Sequence, residues 1–246
     1  MITFILNLNM RNLYNRKTAT IISHFIPYIG KYVAETDADA LYEKIGLNTK
    51  LDKSLFEQSM IGYSNLVDSE LVKKKSILTI IDYTRPSSEK RLYVIDLYSN
   101  KLLFNSLVAH GKNTGVEHAR YFSNEVGSLK SSIGFFITMG TYDGENGYSL
   151  KLRGLEKDIN DKAEMRYIVI HGADYVSEDY IKQNGRIGRS WGCPAVPVEI
   201  ADSLIDTIKG GSPLFIYSNN SEYLNKSKYL NIKTASNQYR HKEPLL

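Results

Sequence analysis

A chain of 246 residues with 42% apolar and 24% charged side chains has enough apolar surface to bury one sizeable core. Its net charge of +4 is unevenly placed, since residues 219–246 hold five basic side chains against two acidic ones. A nucleic-acid binder concentrates basic charge on its folded part, and the nearly neutral remainder of this chain sets that class aside.

Arg11, Arg16 and Lys17 precede a moderately apolar stretch, Ala19 to Ile29, that fits the n- and h-regions of an export signal. His24 and Pro27 interrupt it and no clear cleavage site follows, so an ordinary N-terminal helix fits as well. Met1 to Met10 is too short to cross a bilayer, and no stable membrane span is expected. Residues 1–35 are therefore set apart as export signal or helix, and a single cysteine suits either redox compartment.

Two short helices come next, in a lead-in spanning 36–75. Asp37 to Gly46 puts Leu41, Tyr42 and Ile45 on one face, with Gly46 as a stop. Ser54 to Glu57 has capping-box spacing, and Phe56, Met60, Tyr63 and Val67 continue an apolar stripe. Lys73 to Lys75 reads as a solvated junction.

From Ser76 the pattern turns to strands. Ile77–Tyr83, Arg91–Leu97, Lys101–His110, Ile133–Met139, Tyr148–Leu152, Arg166–Ile170 and Leu214–Tyr217 are rich in β-branched and aromatic residues. Ser99-Asn100 fits a tight hairpin turn, and a helix is expected from Pro197 to Gly210. The expected fold is a mainly β catalytic domain over 76–218, with short N-terminal helices and one or two helices around the active-site loop. Residues 219–246 read as a basic tail, suited to an anionic surface.

The chemistry gathers around the only cysteine, Cys193, in the run Gly185 to Pro194. His171-Gly172 ends an apolar strand 22 positions upstream. A thiol nucleophile needs a base to ionise it and N–H donors for the oxyanion, and these residue types suit that task. A buried structural cysteine and a hydrogen-bonded core histidine are the plainer alternatives. One cysteine cannot form an internal disulfide or a CxxC knuckle. His24, His110, His118, His171 and His241 lack ligand spacing, so no metal and no cofactor are expected.

His171-Gly172, seventeen residues, then Ser190-Trp191-Gly192-Cys193 resembles the signature of YkuD-type L,D-transpeptidases. The flanking text through Pro197, together with Val108–Gly111, Phe122–Asn124, Ser131–Phe135 and Gly147–Leu150, is closer to the murein L,D-transpeptidase catalytic-domain branch. The resemblance covers roughly 76–217 and implies a cysteine acyltransferase of the cell envelope, periplasmic or extracytoplasmic, acting on peptidoglycan stem peptides. Cys193 would attack the stem tetrapeptide at the meso-diaminopimelate carbonyl and release D-alanine. An amine then takes the acyl group, in a 3-3 cross-link or a D-amino-acid exchange. Water as acceptor would make an L,D-carboxypeptidase, and a non-catalytic wall-binding module is the third reading.

Within that frame His171 is the base, Gly192 allows close approach of the backbone, and Ser190 orients the loop or the imidazole. Gly172 is counted with the substrate contacts. Classical members carry an aliphatic residue and an arginine after the cysteine, where this chain has Pro194-Ala195. Arg186 and Arg189, seven and four residues before Cys193, are candidates to replace that charge at substrate carboxylates, or to brace the loop. His110, before Gly111, either lines the cleft or ties the loop to Asn124. Tyr148 faces substrate or packs in the core, and the polar segment 112–132 reads as a lid.

Overall fold

The computed structural model describes residues 38–67 and 69–230, so the two readings of 1–35 and the basic residues Lys233, Arg240 and Lys242 lie outside the described residues. Helix α1 (Ala38–Ile45) stops at Gly46, whose φ of +72° is the left-handed geometry expected of a terminal glycine. Helix α2 (Lys53–Leu66) is capped by Asp52, not Ser54. The Asp52 carboxylate accepts the Leu55 N–H at 3.0 Å and the Ser54 hydroxyl at 2.8 Å, because an anion at that point also meets the helix dipole. At Gly62 the helix touches the sheet so closely that a Cβ would stand 1.9 Å from the Phe135 ring.

Eight strands form one mixed sheet: β1 (Ile77–Asp82), β2 (Leu92–Asp96), β3 (Lys101–Ser106), β4 (Gly134–Gly144), β5 (Gly147–Gly154), β6 (Val169–Gly172), β7 (Ala195–Val196) and β8 (Pro213–Tyr217). Their order is β3-β2-β1-β8-β4-β5-β6-β7, with β1–β8 and β6–β7 parallel. The chain leaving β3 does not continue as a strand to His110, as its composition suggests. Residues 107–111 swing across to the far edge instead, where the Ala109 N–H donates to Ala195 O at 2.8 Å. The two edges of the sheet thereby meet, giving a barrel-like core with few helices. Phe135 and Phe215 stack at 4.1 Å between centroids in its apolar interior.

Arg166 and Tyr167 are not in strand β6, although β propensity places them there. Residues 162–167 form a turn, closed by Arg166 N–H to Lys162 O and Ile168 N–H to Ala163 O, and Tyr167 takes φ +54°. Helix α3 (Glu178–Asn184), capped by Ser177 and ended by Gly185 at φ +74°, is one of the helices expected around the active-site loop. Helix α4 (Val198–Ile208) follows Pro197 and packs on β6.

The stretch after residue 218 is not all free tail. Helix α5 (Ser221–Lys226) buries Tyr223, and the buried Glu156 accepts Tyr223 OH, Ser227 OH and the Phe135 N–H. Among the described residues no helix is long and apolar enough to cross a membrane.

Candidate active site

Strand β6 ends in His171-Gly172, and the parallel pairing of His171 with Ala195 and Gly172 with Val196 fixes where the cysteine loop arrives. Cys193, two residues before Ala195, lies against the segment leading into β6, with Sγ 3.5 Å from Tyr167 O. His171 Nδ1 is 2.9 Å from Gly172 O, so that nitrogen carries the proton and Nε2 is left with its lone pair. Among the described residues Nε2 has no protein partner.

Burial pushes the His171 imidazole below its ordinary range. Burial also pushes the Cys193 thiol up, opposed by a hydrogen bond from the Val169 backbone and by the positive charge of Arg166. At rest the two groups are therefore a thiol and a neutral imidazole, which is the form a base needs.

The loop is clasped by Ser190. Its Oγ donates to Cys193 O at 2.6 Å and accepts the Gly192 N–H at 3.0 Å, closing residues 190–193 into a tight turn. Of the two groups Ser190 is expected to orient, its hydroxyl bonds the loop and not the imidazole. Gly192 has φ +132°, and a Cβ there would stand 2.9 Å from Lys130 O. With the Gly192 amide taken by Ser190, the Cys193 N–H has no acceptor among the described residues and is the donor left beside the thiol.

Other expected contacts are held elsewhere. Gly172 packs against α4 so closely that a Cβ would lie 3.0 Å from Ala201, and its carbonyl holds His171. His110 is fully buried, with Arg91 donating to its Nδ1 at 2.8 Å and its Nε2 3.3 Å from Gly115 O. Asn124 does not meet it but donates to Asp161 at 2.6 Å. Burial and the adjacent Arg91 push His110 down to about 3, so it stays neutral.

One Arg189 nitrogen bridges Lys112 O and Gly115 O at 2.9 and 3.0 Å, and Arg186 donates to Ile187 O at 2.7 Å. Both arginines hold backbone carbonyls through Nη1, which engages one nitrogen of each guanidinium. Tyr148 precedes Ser149, the partner of His171, so it points to the opposite sheet face. There its hydroxyl meets Asp206 at 2.8 Å and Lys209 at 3.1 Å. It lines a cavity of about 630 Å³ with Gly172, Asp174, Tyr175, Tyr180 and Asp202, and neither Cys193 nor His171 borders that space.

Residues 112–132 make a tethered wall, not a hinged lid. Ser131 Oγ donates to Gly192 O at 3.1 Å and accepts the Gly111 N–H at 3.0 Å, while Thr114 Oγ1 accepts the Ser131 N–H at 2.7 Å. Among the described residues no three potential ligands gather as for a metal ion.

A family model described as the L,D-transpeptidase catalytic domain matches residues 47–217. The chain belongs to this family. The match takes in α2 as well as the sheet. Solved structures similar to it include an L,D-transpeptidase from Mycobacterium smegmatis, at 12% identity, TM-score 0.36 and 58% of this chain against 59% of that one. A mutant Enterococcus faecium L,D-transpeptidase gives 14%, 0.37 and 61% against 52%. One from Stackebrandtia nassauensis gives 14%, 0.35 and 73% against 75%. The chain thus spans about three fifths of the length of the mycobacterial enzyme. No curated protein matches it.

Proposed function

We propose that this L,D-transpeptidase acts on peptidoglycan stem peptides through Cys193 and His171. The carrying observation is the β6–β7 register, which sets an imidazole whose Nε2 has no partner among the described residues beside the loop of the only cysteine. In the proposed reaction His171 Nε2 takes the thiol proton as Sγ attacks the carbonyl of the third stem residue. The Cys193 N–H receives the oxyanion. Collapse expels the D-alanine amine, which takes the proton back from His171, and leaves a thioester on Sγ. An acceptor amine then attacks that carbonyl, gives its excess proton to His171, and the thiolate leaves and is reprotonated.

Such a substrate lies in the cell envelope, and the enzyme is proposed to work there. The basic residues after 226 suit an anionic surface nearby. Tyr167 and Trp191 support a peptide cleft at this point, since both are largely exposed aromatics next to the residues that carry the thiol.

Incubation of the purified chain with muropeptides, read by mass spectrometry, tests the proposal. A new 3-3 cross-link or an exchanged terminal D-amino acid is the expected product. Loss of D-alanine alone makes water the acceptor. Neither product from folded protein overturns the reaction and leaves wall binding.

A further inference from the structure

The arginine expected after the cysteine is replaced by Pro194-Ala195, and the two arginines of the loop each turn Nη1 to backbone carbonyls. A third arginine, which the sequence pattern hid inside an expected strand, stands in the turn behind the thiol. Arg166 is half-buried and donates to four groups: Ser123 O at 2.5 Å, Ser132 Oγ, Ser128 Oγ at 3.2 Å and Lys130 O at 2.6 Å. All four are uncharged. Among the described residues no carboxylate pairs with Arg166, so its charge is not cancelled locally.

Its position is fixed from two sides. Lys130 O, held by Nη2, is the atom a Gly192 Cβ would strike at 2.9 Å. The next residue, Tyr167, offers its carbonyl to Cys193 Sγ at 3.5 Å. The guanidinium therefore joins the wall behind Gly192 to the turn under the thiol. We propose that Arg166 is a positioning residue which also supplies the uncompensated positive charge that stabilises the Cys193 thiolate during attack and release.

The other titratable groups facing the thiol do not supply that charge. His171 is held neutral by burial. Burial pushes Tyr83 and Tyr175 up to about 12, so neither ionises at working pH. The thiol and Arg166 feel each other's charge, in the sense that favours the ionised form of both. A cation near a thiol favours the thiolate, whereas a hydroxyl or carbonyl partner would not.

The proposal deepens the reading of Cys193 as nucleophile and rests on it, yet it can be tested without turnover. Cys193 is the only cysteine, so the rate of iodoacetamide labelling against pH titrates this thiol alone. In Arg166→Gln the titration midpoint is expected to rise by about one pH unit, slowing labelling at pH 7 about tenfold. Arg166→Lys keeps the charge and is expected to label within about threefold of wild type, despite losing the planar grip. The paired change Ser128→Ala with Ser132→Ala removes two acceptors and no charge, so its midpoint is expected to match wild type.

An unchanged midpoint in Arg166→Gln overturns the proposal. So does an equal rise in Arg166→Lys or in the serine pair, which would leave a brace without an electrostatic task. Turnover by Cys193→Ala would instead remove the nucleophile reading, and the thiol titration would still decide the role of Arg166.

Discussion

Two histidine–glycine pairs flank the same loop, and the fold treats them in opposite ways. Gly111 bridges Ser190 at one end of the loop, and His171 pairs with Ala195 at the other. Both imidazoles are buried. His110 has Arg91 against one nitrogen and Gly115 O against the other, whereas His171 spends only Nδ1. Arg91 must donate, which makes Nδ1 of His110 the acceptor and leaves no basic lone pair. A histidine becomes a base by having one nitrogen fixed and the other vacant, and the dipeptide alone cannot say which pair achieves that.

The comparison breaks most sharply at His171. His171→Gln is expected to lower kcat by about 10²–10⁴-fold with little change in Tm, as for loss of a general base. A variant with wild-type turnover would remove the assignment.

His110→Gln should show the reverse split: folded enzyme within several-fold of wild-type kcat, and a loss of about 1–3 kcal/mol in denaturant unfolding from the disturbed Arg91 cluster. The pH dependence sharpens this. His110 is held near 3 in the folded chain and titrates near 6.5 when unfolded, so the unfolded chain binds the proton first. Stability is full above pH 6.5 and falls as pH drops from 6.5 toward 3. At ~1.4 kcal/mol per unit this amounts to a few kcal/mol. His171, also lowered, adds in the same direction. Urea midpoints across pH 4–7 should flatten in His110→Gln, and an unaltered slope would contradict the buried neutral imidazole.

Ser190→Ala removes the clasp on the loop that both pairs hold. It is expected to cost about 1–2 kcal/mol in stability and about tenfold in kcat/KM, because Cys193 O and the Gly192 N–H lose their partner together. Melting and turnover measured on one preparation would show whether the two losses travel together.

The smallest expected effect is Arg189→Lys, at less than about threefold in kcat/KM, since an ammonium can still reach the two loop carbonyls. A tenfold rise in KM at constant kcat would return Arg189 to the substrate.

Residue types and spacing determined a good deal by themselves. Runs rich in β-branched and aromatic residues marked seven of the eight strands, because those side chains pack well on a pleated sheet. The two-residue β7 was too short to show a period, and α3 and α5 bury too little to write a stripe. His171 and Cys193 stood out in the sequence because a nucleophile and its base are chemically distinctive residue types.

Charge and hydrogen-bond partners were not legible. An arginine looks the same in a sequence whether it grips a carboxylate, braces a carbonyl or stands unpaired. Arg189 and Arg186 were the nearest cations along the chain, but which carbonyls their Nη1 groups meet depends on the closing of the sheet. Arg166, 27 positions from Cys193, comes to the thiol only because the 162–167 turn folds back beneath it. Electrostatics acts through space, so which cation meets the thiolate, and which histidine keeps a lone pair, was decided by the tertiary structure alone.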